Sequence, residues 1–192
     1  MSQIQTVLLP AAPPLPREEL LLEIGQLNVF FPILQRGVTV PAVVGGTLKS
    51  LLCDQFSIPA DYVTDRITTI FLDNRPVDDL EHTLIRNDSR VTLSAAMPGL
   101  VGATMRRGGF YAALRGGISH GTDNDTASNN NSGTIRLKLF NLLLAELGPL
   151  ILARGLILTP QERFELLSNL PDQPASDSAN AAQSLVTVTF RE

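Results

Sequence analysis

The sequence predicts an α+β fold, and three observations carry that expectation. Apolar residues make up 44% of the 192 and charged residues 18%, a composition that can bury a core. Segments that read as strands, such as 67–73 with its β-branched residues and 184–190 with its alternation of apolar residues and Thr, are interspersed with segments at helical spacing, such as 48–56 and 160–170. Aromatic residues are 5% with no Trp, so the core must rest on Leu, Val and Ile.

Taken in order, residues 3–9 (QIQTVLL) read as a short strand and 10–16 (PAAPPLP) as an extended proline-rich connector. Residues 17–24 read as a short helix, with Glu18 and Glu19 at its positive N-terminal end and Gly25 as its stop. LNVFFPIL (27–34) reads as a strand, QRG as a turn, and VTVPAVV (38–44) as a second strand; Pro32 and Pro41 each remove a ladder donor and point to edges or bulges. Thr47 is the expected N-cap of an amphipathic helix over 48–56, with Leu48, Leu51, Leu52 and Phe56 on one face and an end before Pro59. ITTIFLD (67–73) is a strand, DNRP a turn, and 77–85 a mixed connector with a helical turn. NDS (87–89) turns into a last strand of this unit, RVTLSAAM (90–97).

Strand, strand, helix, strand, strand within this span is the β-grasp plan, in which a sheet buries one face on a single helix. Residues 27–99 resemble the small ubiquitin-like sulfur carriers of the MoaD/ThiS type. GGTLKSLL at the helix start, IFLDNRPVDD, and IRNDSRVTLSAAMPG carry the resemblance. Asn87-Asp88-Ser89-Arg90-Val91 stands where that family has a Gly-Asp turn before its last strand. The resemblance implies a β-grasp core at 27–98, preceded by 1–26 (strand, connector, short helix) and elaborated by a C-terminal extension.

Beyond Met97 the likeness ends. Residues 99–133 read as a Gly/Asn-rich flexible loop, glycine-punctuated at first and a polar low-complexity run over 118–133. Residues 134–192 read as a helical extension with a terminal strand. Within it, 134–147 is apolar on most faces and predicts a buried helix, which Gly148-Pro149 should break or kink. Thr159, Pro160 and Glu162 form a capping box opening a helix over 160–170, with Phe164, Leu167 and Leu170 as its apolar stripe. Residues 172–184 read as loose, and SLVTVTF (184–190) is a strand that could extend the β-grasp sheet, pair with 3–9, or pair with another subunit.

A net charge of −4 argues against electrostatic capture of nucleic acid; Arg106, Arg107 and Arg115 are the only basic cluster. Two Arg-Gly-Gly triplets with one Phe and one Tyr fall short of an RNA-binding repeat, and Phe110, Tyr111 and Leu114 are expected to pack this segment on the core. The single cysteine, Cys53, fits a reducing, cytoplasmic setting and reads as a small buried hydrophobe. The most apolar run, 139–153, is shorter than the roughly 20 residues that span a bilayer and contains Asn141, Glu146 and Pro149, so no membrane span is expected. His82 with Asp78, Asp79 and Glu81, and His120 with Asp123 and Asp125, lack ligand spacing and read as solvated acidic turns. Gly45-Gly46 lacks a phosphate-loop or dinucleotide pattern around it and reads as a turn.

No catalytic residue, cofactor or metal is therefore predicted. The leading functional expectation is a non-catalytic ubiquitin-like binding or assembly module, with a protein partner met through the sheet face or edge, and with self-association. The first alternative is a sulfur-carrier or modifier precursor, which the family resemblance suggests. Such carriers need a free Gly-Gly end, so cleavage after Gly99, Gly109 or Gly117 would be required; Pro98 departs from the family pattern, and Leu114-Arg115-Gly116-Gly117 resembles a ubiquitin-like tail. The second alternative is an enzyme with a site in the 99–133 loop.

Overall fold

The structure, a computed structural model, describes residues 15–121, 131–170 and 183–191. It is an α+β molecule built on one eight-stranded mixed sheet in the order β1-β8-β7-β2-β6-β5-β3-β4. The strands are β1 (Arg17–Glu23), β2 (Val38–Val44), β3 (Thr69–Leu72), β4 (Arg75–Pro76), β5 (Arg90–Ser94), β6 (Asn131–Phe140), β7 (Leu156–Leu158) and β8 (Ser184–Arg191). The helices are α1 (Phe31–Arg36), α2 (Leu48–Ser50, continued by a π turn over Leu51–Gln55), α3 (Ala60–Asp65), α4 (Gly99–Met105), α5 (Leu143–Arg154) and α6 (Pro160–Ser168), with 3-10 segments at Ile24–Phe30 and Phe110–Ile118.

Several expectations hold. β2, β3, β5 and β8 lie within the segments read as strands. The Thr47 hydroxyl accepts the Ser50 amide as the N-cap of α2, and Thr159 and Glu162 close their capping box at α6. Asp73 and Asn74 both take positive φ, as a tight hairpin between β3 and β4 requires. The connector after β4 is stitched to the start of α2 by Leu48 N–H to Thr83 O and Ile85 N–H to Gly46 O.

Five expectations are corrected. Residues 17–24 are not a helix: Leu20 and Leu22 are buried while Arg17, Glu19, Leu21 and Glu23 are exposed, the alternation of a strand, and β1 pairs in parallel with β8. The contiguous leucines 20–22 conceal that period. Residues 27–34 are not a strand but a 3-10 turn leading into α1, burying Leu27, Phe30, Ile33 and Leu34 at helical spacing, with Pro32 in the first turn where it lacks no partner. Residues 134–140 are the strand β6 rather than a helix, with Ile135, Leu137 and Leu139 inward and Thr134, Arg136 and Lys138 half-exposed. Asn141, at φ 57, turns the chain into α5, which runs on through Gly148 and Pro149. The carbonyl Pro149 cannot serve belongs to exposed Ala145, on the wet side of the helix. On α6, Phe164 is 70% exposed and Leu166 takes the buried position. Finally, 99–121 is not a loop: α4 and the Phe110–Ile118 segment form a folded lobe. Residues 3–9, and most of the polar stretches at 118–133 and 172–184, lie outside the described residues.

β8 pairs with β1 and β7, joining the two ends of the chain in one sheet. β6 is antiparallel to β2 and parallel to β5, so it fills the place beside β2 that 27–34 was expected to take. A parallel β5–β6 pair needs a long crossover, and the lobe lies within it. One continuous core runs under the sheet, from Leu20 and Val188 through Val40, Leu137 and Leu93 to Ile70, with Phe30, Leu34, Leu52, Phe56 and Ile151 packed from the helices. No helix among the described residues is long and apolar enough to cross a membrane.

Candidate functional site

The lobe over 99–121 contains three arginines and no carboxylate, and its glycines decide how it folds. Pro98 precedes α4, whose Gly102 lies directly against the Met97 carbonyl: a Cβ there would sit 1.9 Å from that oxygen. The backbone then folds back on the molecule. The Arg107 N–H donates to Thr68 O (2.8 Å) and the His120 N–H to Pro76 O (2.8 Å), which ties the lobe to the β3–β4 end of the sheet.

Two of the three arginines point inward. Arg107 donates from Nη2 to the carbonyls of Val63 (2.6 Å) and Thr64 (3.4 Å), orphan acceptors at the end of α3. Burial pushes its pKa down, with Asp78 acting the other way. The Arg115 side chain is 1% exposed; its Nη2 donates to Asp78 Oδ1 at 2.8 Å and lies 3.5 Å from Arg106 O. Its Nε and Nη1 are buried without a protein partner. Asp78 also accepts the Gly108 N–H at 3.1 Å, so one carboxylate joins both Arg-Gly-Gly triplets.

The outer side is the reverse. Leu100, Val101, Phe110, Tyr111, Leu114 and Ile118 are between 44% and 91% exposed, and they are six of the eleven exposed large apolar residues among those described. The Phe110 and Tyr111 rings stack edge to face with centroids 5.2 Å apart. These three side chains, Phe110, Tyr111 and Leu114, were expected to face the core and instead face solvent. Charge inward and apolar surface outward is the opposite of what an isolated domain does with such residues.

Among the described residues, the two histidines singled out in the sequence engage close neighbours and Cys53 is part-buried. Burial pushes the Cys53 thiol up, Asp54 adds to this, and Lys49 is engaged by Glu81 at 2.5 Å, so the thiol is not activated. His82 Nδ1 lies 2.8 Å from Asp79 Oδ2; burial works against that carboxylate, but the His82 ring and amide outweigh it and hold its pKa low. His120 Nδ1 lies 2.7 Å from the Gly121 carbonyl, and its expected neighbours Asp123 and Asp125 are outside the described residues. Among the described residues no group of three His, Cys, Asp or Glu is placed to hold a metal. Glu146 takes hydrogen bonds from Tyr62 and Arg66, which hold its carboxyl at about 2, while burial and the same carboxylate raise the Tyr62 phenol. That cluster fastens α3 to α5 and leaves no group able to exchange a proton near neutrality.

No protein-family model matches the chain, and comparison with characterised proteins and with solved structures returns no match.

Gly99 opens α4, Gly109 donates its N–H to Arg106 O just before the second segment of the lobe, and Gly117 lies within that segment. All three precede β6, β7 and β8 in the chain. A groove of about 410 Å³ between α5 and β8, lined by Ile24, Pro149, Ala153, Val188, Phe190 and Arg191, is apolar, and Arg191 there is engaged by Glu23 at 2.5 Å. The inward arginines were not foreseen; the one signal for them was a basic, carboxylate-free segment next to an acidic connector.

Proposed function

We propose that this chain is a non-catalytic binding and assembly module, cytoplasmic on the evidence of its one unpaired cysteine, and that it meets a protein partner through the lobe. The observation that carries the reading is the inversion over 99–118, where arginines are used as internal anchors and large apolar side chains are left on the surface. An apolar surface anchored from beneath suits protein recognition, because anchoring reduces the ordering entropy lost on docking. Nucleic acid is a poor fit, since of the three arginines only Arg106 is turned outward.

We read the core beneath it as β-grasp-like, in keeping with the MoaD/ThiS-type resemblance. Support comes from the run β2-β6-β5-β3-β4 over α2, in which β6, supplied from later in the chain, acts as the hairpin partner of β2. The carrier reading gains nothing from this arrangement, because a chain ending at Gly99, Gly109 or Gly117 would lack the strand between β2 and β5. The alternative of an enzyme site over 99–133 reaches beyond the described residues, and within 99–121 the inward arginines are already engaged by Asp78 and by backbone carbonyls.

A photo-reactive residue at position 110, in cells that make the protein, tests the proposal against the same residue at position 164. Discrete protein adducts from 110 and none from 164 are expected. Equal labelling, or none at either position, would overturn the assignment of the lobe as the recognition surface.

A further inference from the structure

We infer that the surface of the lobe is a two-fold interface between copies of this chain. The inference rests on the binding role proposed above and names the partner. Area is the first ground. The six exposed side chains present roughly 700 Å² of largely apolar surface, taking about 180 Å² for a fully exposed large residue. Summed over the lobe, that approaches the ~800 Å² per partner of a stable protein interface. Proximity is the second ground: Phe110 and Tyr111 are in ring contact, Leu114 and Ile118 lie in the same segment on either side of a kink at Gly116, and α4, with Leu100 and Val101 exposed, packs against that segment.

Charge decides for a second copy over a different protein. A two-fold contact sets a patch against itself, so any net charge on it meets its like. This surface avoids that penalty. The Arg115 guanidinium is withdrawn to Asp78 and Arg107 is turned toward the α3 carbonyls, which leaves the lobe without an exposed carboxylate and with Arg106 as its outward cation. At its foot Asp78 is 44% exposed, and one cation with one anion is a set that a two-fold axis can satisfy reciprocally.

The test is mass against concentration for the full chain, by light scattering after size exclusion and by sedimentation equilibrium. The monomer is 20.7 kDa, so the expected species at tens of micromolar is twice that, 41.4 kDa. Phe110→Glu and Leu114→Glu, at positions exposed to solvent in the monomer, should each weaken the dimer by at least 100-fold with unchanged circular dichroism. Phe164→Glu, on α6, should leave it intact. A wild-type chain that stays at 20.7 kDa up to 200 µM would overturn the inference, whether another protein or another segment of the chain covers the lobe. A dimer indifferent to both lobe substitutions would overturn it too. A monomer that still cross-links from position 110 to a different protein would sink self-association alone; a monomer with no adduct would sink the binding role as well.

Discussion

Removing Asp78 should hurt the protein more than removing the arginine it holds. In Asp78→Ala the Arg115 guanidinium stays buried, with its best acceptor at 2.8 Å gone and Nε and Nη1 already without partners. A hydrogen bond to a charged group is worth about 1.5–3 kcal/mol, and stranding one member of a fully buried pair costs about 3–5. The Asp78 side chain is 44% exposed, so water already screens part of the pairing and the expected loss is about 2 kcal/mol. The Gly108 amide also loses its acceptor but is exposed and turns to water. At about 2–4 °C per kcal/mol for a chain of this size, Tm should fall by roughly 4–8 °C. Arg115→Met keeps the long side chain and deletes the orphan donors, so it should stay within about 1 kcal/mol of wild type. The double variant should resemble Arg115→Met, not the sum of the two. Urea unfolding followed by circular dichroism reads all four proteins. If Arg115→Met proves as damaging as Asp78→Ala, or the two losses add, the account of Arg115 as an under-satisfied internal anchor is wrong.

Gly102→Ala should destabilise the protein by about 1–3 kcal/mol in thermal unfolding, despite alanine's better helix propensity, because its Cβ would overlap the Met97 carbonyl and force α4 outward. Leu137→Ala, in the strand between β2 and β5, should cost about 2–5 kcal/mol by urea titration; a loss under 0.5 would contradict its place at the sheet centre. Glu146 is held at about 2 in the folded protein, below its ordinary value of 4.5, so its contribution is complete above pH 4.5 and disappears as pH falls toward 2. Stability measured across that window should fall less steeply in Glu146→Gln than in wild type; parallel curves would refute the coupling to Arg66 and Tyr62.

Local signals in the sequence place much of the fold. Thr47, the Thr159–Glu162 pair and the Asp73-Asn74 turn each act on neighbours within a few residues, so their roles can be read without tertiary knowledge. Where residues answer to distant partners, the reading fails. β1 exists because β8 lies beside it, and 27–36 winds into helix because Leu27 and Leu34 must meet Gly148 on α5. β6 carried a readable period of two in Ile135, Leu137 and Leu139, but the helix that begins at Leu143 ran on from it and masked the seam at Asn141. The lobe was illegible for the same reason: Arg115 is an internal anchor only because Asp78, 37 residues earlier, receives it.

The late arrival of β6 has a consequence during synthesis. When Ser94 leaves the ribosome, the sides of β2 and β5 that will pair with β6 are still open, and the nascent chain waits for about 45 more residues before the strand that joins them is complete. At about 5–20 residues per second that is a delay of roughly 2–9 s, long compared with the microseconds a hairpin takes to form. β1 waits longer still, since Glu23 meets Arg191 across 168 residues. Through this interval exposed strand edges can be captured by other unfinished chains, so yield in the cell should depend on chaperones that shield nascent chains and should improve when elongation is slowed upstream of β6 less than when initiation is made sparse.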